Sequence, residues 1–200
     1  MSGNTGLELV ATLRSGHFEA RRFDIDGPLL ISTRRLADTR GVFTETYSRR
    51  HFAELGVAEE FVQENQSLTL CADTVRGLHF QLPPRAQAKL VRVIRGTILD
   101  VAVDLRRGSP DYGRHIAIEL SADGDEMIYL PAGFAHGFVT REPETVVAYK
   151  VSDTYAPAHD RGLAWDDPAL GIDWGLPPGA AVLSEKDRTW PRLADLGPVF

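Results

Sequence analysis

From Phe23 onward, short apolar stretches alternate with turn residues along the chain. The runs PLLIST, RGVFTETY, EFVQENQSLT, LVRVI, TILDVAVDL, RHIAIEL, EMIYLP, GFVT and TVVAYKVS each have the length and the β-branched or aromatic content of a strand. VRGLHFQ, residues 75–81, reads as another. Between them RGS, ADGD, PAGF and REPE supply the Gly, Pro and Asp that turns require. One early helix is predicted in SRRHFAELG, with Ser48 as cap and Gly56 as terminator. Many short strands without interleaved helices predict an antiparallel sandwich or barrel.

No internal repeat or low-complexity tract breaks this pattern, and 200 residues suit one domain with a substantial core. Residues 1–20 read as an N-terminal extension, either disordered or docked as an arm, and residues 21–200 as the single domain. Residues 156–200 carry Pro157, Pro168, Pro177, Pro178, Pro191 and Pro198 and are expected to wrap the barrel as loops and one or two short helices. A net charge of −6 argues against a general nucleic-acid binder but leaves room for a local arginine site facing a phosphate-bearing small molecule. The single cysteine, Cys71, permits no intrachain disulfide. The N-terminus lacks the pattern of a signal peptide and no run approaches the ~20 apolar residues of a membrane span. A cytoplasmic address is the simplest expectation.

Side chains alternate across a strand, so parity sorts residues onto faces. Lys89 shares parity with Val91 and Val93, His79 with Val75 and Gly77, and Tyr149 with Val147 and Val151. If those faces point inward, the three polar groups line one cavity. Taken singly, each reads first as a strand-end side chain reaching solvent or a satisfied core residue, and it is the set on inward parities that favours the cavity. Residues 131–136, PAGFAH, have the P-x-G-x-x-H form seen in cupin barrels, where the histidine often binds metal. The usual companion, a His-x-His pair followed by a glutamate, is replaced by His79-Phe80-Gln81, so no metal is expected. Neither a Gly-rich dinucleotide fingerprint nor a P-loop occurs, and no cofactor is expected. A cavity holding imidazoles, a lysine, a tyrosine and arginines suits proton transfer beside a carbonyl. Histidine titrates near neutrality, cations stabilise an enolate, and a facing tyrosine can return the proton from the other side.

The series RGVFTE, FVQEN, RGLHFQ, KLVRV.RG, DVAVDLR.GSP..G, LPAGFAHGFVT, YKVSD.Y, W.DP.LGIDW and LSEKD resembles, in order and spacing, the dTDP-4-dehydrorhamnose 3,5-epimerases of the cupin superfamily. The resemblance runs from about Phe23 to about Pro191. It implies an all-β, cupin-type antiparallel jelly-roll barrel with a few short peripheral helices, and an isomerase that needs no cofactor. Its substrate would be dTDP-4-dehydro-6-deoxy-glucose, epimerised at carbons 3 and 5 on the way to dTDP-rhamnose. By the same resemblance His79 is the general base, Asp187 its partner and Tyr149 the acid on the opposite face. Lys89 and His136 hold the sugar and stabilise the keto oxygen. Arg40, Phe43 and Glu45 grip the nucleotide, some across a dimer interface. Gln63, Asn65 and Arg76 match nucleotide or diphosphate contacts, and Tyr155 stacks on the base. A homodimer joined through exchanged edge strands is implied, with neither nucleic acid nor membrane as partner.

The chain departs from the pattern in its first twenty or so residues, at Gln66-Ser67 where many members have His-Ser, and at His159-Asp160 in a variable loop. These positions are expected to leave the base, its partner and the acid untouched. Four other readings compete. One is a relative that inverts only carbon 3 or only carbon 5, and another a ketoisomerase of the superfamily. The remaining two are a cupin that merely binds a sugar nucleotide and a metal-dependent cupin oxygenase.

Overall fold

The structure is a computed structural model that describes residues 11–200. The apolar runs form β3 (Leu29–Thr33), β5 (Gly41–Thr44), β6 (Gln63–Thr69), β7 (Val75–Gln81), β8 (Lys89–Arg95) and β9 (Thr97–Asp104). They continue as β10 (His115–Ser121), β11 (Glu126–Leu130), β12 (Phe134–Thr140) and β13 (Thr145–Val151). Four strands were not read from the pattern: β1 (Thr12–Ser15), β2 (Phe18–Arg22), β4 (Arg35–Asp38) and β14 (Asp160–Gly162). They are short and mostly polar, and pairing with neighbours makes them strands. The helix α1 (Arg49–Glu54) has Ser48 at its N-cap position in extended conformation, although the hydroxyl makes no capping bond. Residues 11–20, within the stretch read as an extension, belong largely to the β1–β2 hairpin, which adds to β3. Residues 1–10 lie outside the described residues.

Two antiparallel sheets face each other in a jelly-roll sandwich. One has the order β1-β2-β3-β11-β8-β13-β6, the other β10-β9-β12-β7-β14, and β4-β5 forms a separate ribbon. The inner core joins Val91, Val93, Ile128 and Val147 from the first sheet to Ile98, Ala102, Ile116 and Phe138 from the second. Both sheets are also covered outside. Phe52 and Leu55 of the α1 region pack with Phe18, Leu90 and Met127 on the outer face of the seven-stranded sheet. Val75, Leu78, Val101 and Val103 on the outer face of the other sheet are covered by Leu163, Leu170, Trp174 and further residues of the tail. The tail contains only β14 and a 3-10 turn at Leu193–Asp195 as regular structure. Covering on both faces explains why TILDVAVD reads as continuously apolar rather than alternating.

One irregularity re-aims a strand. His136 opposes His79 and Phe138 opposes Arg76, so two steps along β12 match three along β7. The extra residue is a bulge in β7 around Gly77, and it shifts the strand's faces by one. Parity therefore misleads at His79: Val75 lies in the outer core with Leu78 and Phe80, whereas His79 shares the interior side with Arg76. Gly77 has φ +130, and a Cβ placed on it would sit 2.5 Å from Cα of Gly137. Only glycine meets both conditions. Gly77→Ala is expected to cost about 2–4 kcal/mol in denaturant unfolding, from backbone strain plus overlap. A loss below about 1 kcal/mol would show that the bulge tolerates a side chain.

Candidate active site

Between the sheets opens a cavity of about 570 Å³. Strands β7 and β12 contribute His79, Arg76, His136 and Phe138 from one sheet. Facing them, β8 contributes Lys89, β13 contributes Tyr149, and β6 contributes Gln63, Asn65 and Ser67. The tail closes the remaining side with Ser184, Lys186 and Asp187, joined by Tyr155 and Asp160.

Nε2 of His79 lies 2.5 Å from Oδ1 of Asp187. A carboxylate only accepts, so Nε2–H donates and Nδ1 is left with the free lone pair. Asp187 is itself held: Ser184 Oγ donates to Oδ2 at 2.9 Å and Trp190 Nε1 to Oδ1 at 3.2 Å. The Asp187 side chain is 6% exposed and that of His79 33%, so the orienting group is sequestered while the imidazole meets the cavity. Burial pushes the Asp187 carboxyl up, but the hydrogen bond and charge of His79, with Ser184 and Trp190, outweigh it and leave it below its ordinary value. The approach of the tail depends on Gly162, which opposes His79 in β14; a Cβ there would meet the Trp190 ring at 2.3 Å. The indole lies edge-on to the imidazole, with ring centroids 6.1 Å apart.

Lys89 reaches across the sandwich, its Nζ donating to the His79 carbonyl at 3.2 Å. Desolvation lowers its pKa to about 8, against the pull of Asp100 and Asp160. His136 donates Nε2–H to Asp100 Oδ2 at 2.8 Å, and desolvation holds its pKa below the ordinary value. It is thus a neutral ring whose Nδ1 can accept. Burial raises the Tyr149 phenol, partly offset by Arg76, so the phenol keeps its proton near neutrality. Arg76 is braced by its Nε bond to Thr69 Oγ1 at 3.0 Å. Gln63 donates to Asn65 Oδ1 at 2.8 Å and accepts from the backbone of Tyr155 at 3.2 Å.

His79, Asp187, Tyr149, Lys89, His136, Gln63, Asn65, Arg76 and Tyr155 therefore share one cavity. Arg40, Phe43 and Glu45 do not line it. They lie on or just after the projecting β4–β5 ribbon, where Phe43 is 68% exposed and Arg40 pairs with Asp38. Ser67, beside the departure at Gln66, and Asp160, in the variable loop, also belong to the site. Ser67 lines the cavity, and the carboxylate of Asp160 accepts from Tyr155 Oη at 2.9 Å and pairs with Lys186. Asp100, Lys186, Ser184 and Trp190 were not read from the sequence. The motifs DVAVDLR and LSEKD contained the first three, but nothing local separates them from ordinary strand and loop residues. Among the described residues, no three His, Cys, Asp or Glu side chains are grouped to hold a metal ion.

Known proteins resemble this chain in sequence and in fold. The sequence model of the dTDP-4-dehydrorhamnose 3,5-epimerase family matches residues 22–195. The Sinorhizobium fredii dTDP-4-dehydrorhamnose 3,5-epimerase is 50% identical over 167 residues, covering 84% of this chain and 85% of its own length. The crystal structure of the Bacillus anthracis enzyme with TDP and PPi bound superposes with a TM-score of 0.85 at 43% identity, over 88% of this chain and 99% of that one. A Legionella pneumophila epimerase in complex with dTDP-4-keto-L-rhamnose gives a TM-score of 0.85 at 36% identity, over 90% and 95% of the two chains.

The lowered pKa of Lys89 has a stability consequence. The unfolded chain holds that proton up to about pH 10.4, the folded one only to about 8. Below pH 8 both states are protonated and the buried ammonium is a full penalty; between 8 and 10.4 the folded state releases the proton and stability rises. Lys89→Met is expected to stabilise the fold at pH 7 by on the order of 2 kcal/mol, with the gain fading towards pH 10. Urea unfolding of both proteins at the two pH values checks this, and a pH-independent difference would contradict it.

Proposed function

Because the chain belongs to the dTDP-4-dehydrorhamnose 3,5-epimerase family, we propose that this cavity inverts carbons 3 and 5 of dTDP-4-dehydro-6-deoxy-glucose without a cofactor, in the making of dTDP-rhamnose. One observation carries the reading: an imidazole tethered to a carboxylate and a protonated phenol come from opposing sheets.

The keto group at carbon 4 acidifies the hydrogens on carbons 3 and 5. Nδ1 of His79 removes one of them, and the resulting imidazolium is stabilised by Asp187 through Nε2–H. Electrons from the broken C–H bond move onto the keto oxygen, where the Lys89 ammonium meets the developing charge. The Tyr149 hydroxyl gives its proton to the same carbon from the other face, and the centre is inverted. His79 then loses its proton and Tyr149 regains one before the cycle repeats at the second carbon. His136 holds a sugar hydroxyl. Arg76 serves the diphosphate with its planar fork, Gln63 and Asn65 hold the nucleotide, and Tyr155 stacks on the base.

Arg40, Phe43 and Glu45 fit the reading as donations to a second protomer's site. Their ribbon stands away from its own cavity. Strand β6, which lines the cavity, is the outermost strand of its sheet and exposes Leu68. An edge that no strand among the described residues covers invites pairing with another copy. The proposed assembly is a homodimer in which each ribbon completes its neighbour's site.

Incubation with the 4-keto sugar nucleotide in deuterated water is expected to place deuterium at carbons 3 and 5, and His79→Ala to abolish exchange. Tyr149→Phe should preserve exchange better than completed inversion. Exchange confined to one carbon would make this a single-site epimerase, and none at all would leave a binding protein. For the assembly, mixing His79→Ala with Arg40→Ala protein should restore about a quarter of the sites, because half the dimers are mixed and each holds one intact site. Additive residual activity in the mixture would rule out donated ribbons.

A further inference from the structure

Asp100 is buried behind the cavity and has no part in the steps above. It lies on β9 between Ile98 and Ala102, both in the inner core, so its side chain points between the sheets. It is 0% exposed. Oδ2 receives the His136 hydrogen bond at 2.8 Å, whereas Oδ1 makes no hydrogen bond with any described group. Orienting a ring needs one acceptor oxygen, which an uncharged amide would also supply. A full carboxylate with a second oxygen unpaired in a dry interior is costly, so its charge calls for a counterpart.

The cation on which that charge bears is Lys89. The titratable and charged groups facing the cavity around it are Arg76 and His79 from β7, His136 from β12, Tyr149 from β13, Tyr155 from the loop after it, Asp160 from β14, and Lys186 and Asp187 from the tail, with Asp100 on β9 behind. Two carboxylates favour its charged form, Asp100 and Asp160. Asp160 is already engaged by Tyr155 and Lys186, and Asp187 by His79, Ser184 and Trp190. Asp100 keeps an uncommitted oxygen.

Resting on the epimerase reading, we propose that Asp100 is a positioning residue for the reaction: one oxygen fixes the His136 ring with Nδ1 free for the sugar, and the field of the carboxylate keeps Lys89 an ammonium where the enolate oxygen forms. The two sheets are coupled through it. β9 and β12 supply the anion and the oriented ring, and β8 supplies the cation they support.

Asp100→Asn keeps the shape and the acceptor while removing the charge. In protein carrying 13C-labelled lysine, with the Lys89 signal identified by its loss in Lys89→Arg, the Lys89 titration is expected to move down by at least about one pH unit, a roughly tenfold change in acidity. Turnover at pH 7.5 is expected to fall at least roughly threefold, as the ammonium share drops from about three quarters to about one quarter, with KM changed by less than about twofold, and the alkaline limb of the kcat profile to shift to lower pH. An unchanged Lys89 titration with an unshifted alkaline limb would overturn the proposal, whatever the activity loss. Should the variant fail to fold, the 13Cγ signal of Asp100 in the unaltered protein decides: an ionised carboxylate at pH 7 supports the proposal, and a protonated one overturns it. Absence of turnover in the unaltered protein would instead defeat the epimerase reading, while the lysine titration still reports on Asp100.

Discussion

The hydrogen bond between His79 and Asp187 is the constraint on which this architecture turns. It joins a strand of the interior to a loop near the chain's end, and it selects which imidazole nitrogen is free. Every element on that side of the molecule serves the contact. The bulge at Gly77 turns the histidine inward, Gly162 admits the Trp190 indole, and Ser184 and the indole hold the carboxylate. Without the bond the ring could present either nitrogen to the cavity.

The tail is more than a wrapper. Its apolar residues cover the outer face of the five-stranded sheet, and that packing carries Asp187 to the site. Backbone bonds between Val75 and Val182 and between Leu78 and Leu163 stitch the tail to β7 itself. Hydrophobic burial and the placing of Asp187 beside His79 are thus achieved by the same segment. A chain with so little regular structure in its last forty or so residues can still hold a carboxylate in place, because the sheet beneath supplies the rigidity.

The opposite pull comes from the interior. Lys89, His136 and Asp100 occupy space that the core could have filled with apolar side chains, and each carries a desolvation cost. Their mutual arrangement lessens that cost without removing it. Charge kept dry acts strongly on charge that develops later, which is why such groups persist in sites where an oxyanion forms. Stability is conceded where chemistry needs the field.

Alternating apolar runs and turn residues determined the class of fold and the positions of most strands, because strand periodicity and turn chemistry are local properties. The ordered motifs determined the family, and with it the names of His79, Asp187, Tyr149 and Lys89. Tertiary structure alone decided the rest. The short polar strands β1, β2, β4 and β14 exist through pairing with neighbours, which no local pattern encodes. Parity failed at His79 because one inserted residue reverses a strand's faces. Nothing in DVAVDLR distinguishes Asp100 from its neighbours until β9 lies against β12 and β8 faces them across the cavity, for a carboxylate acquires its character from what surrounds it in space.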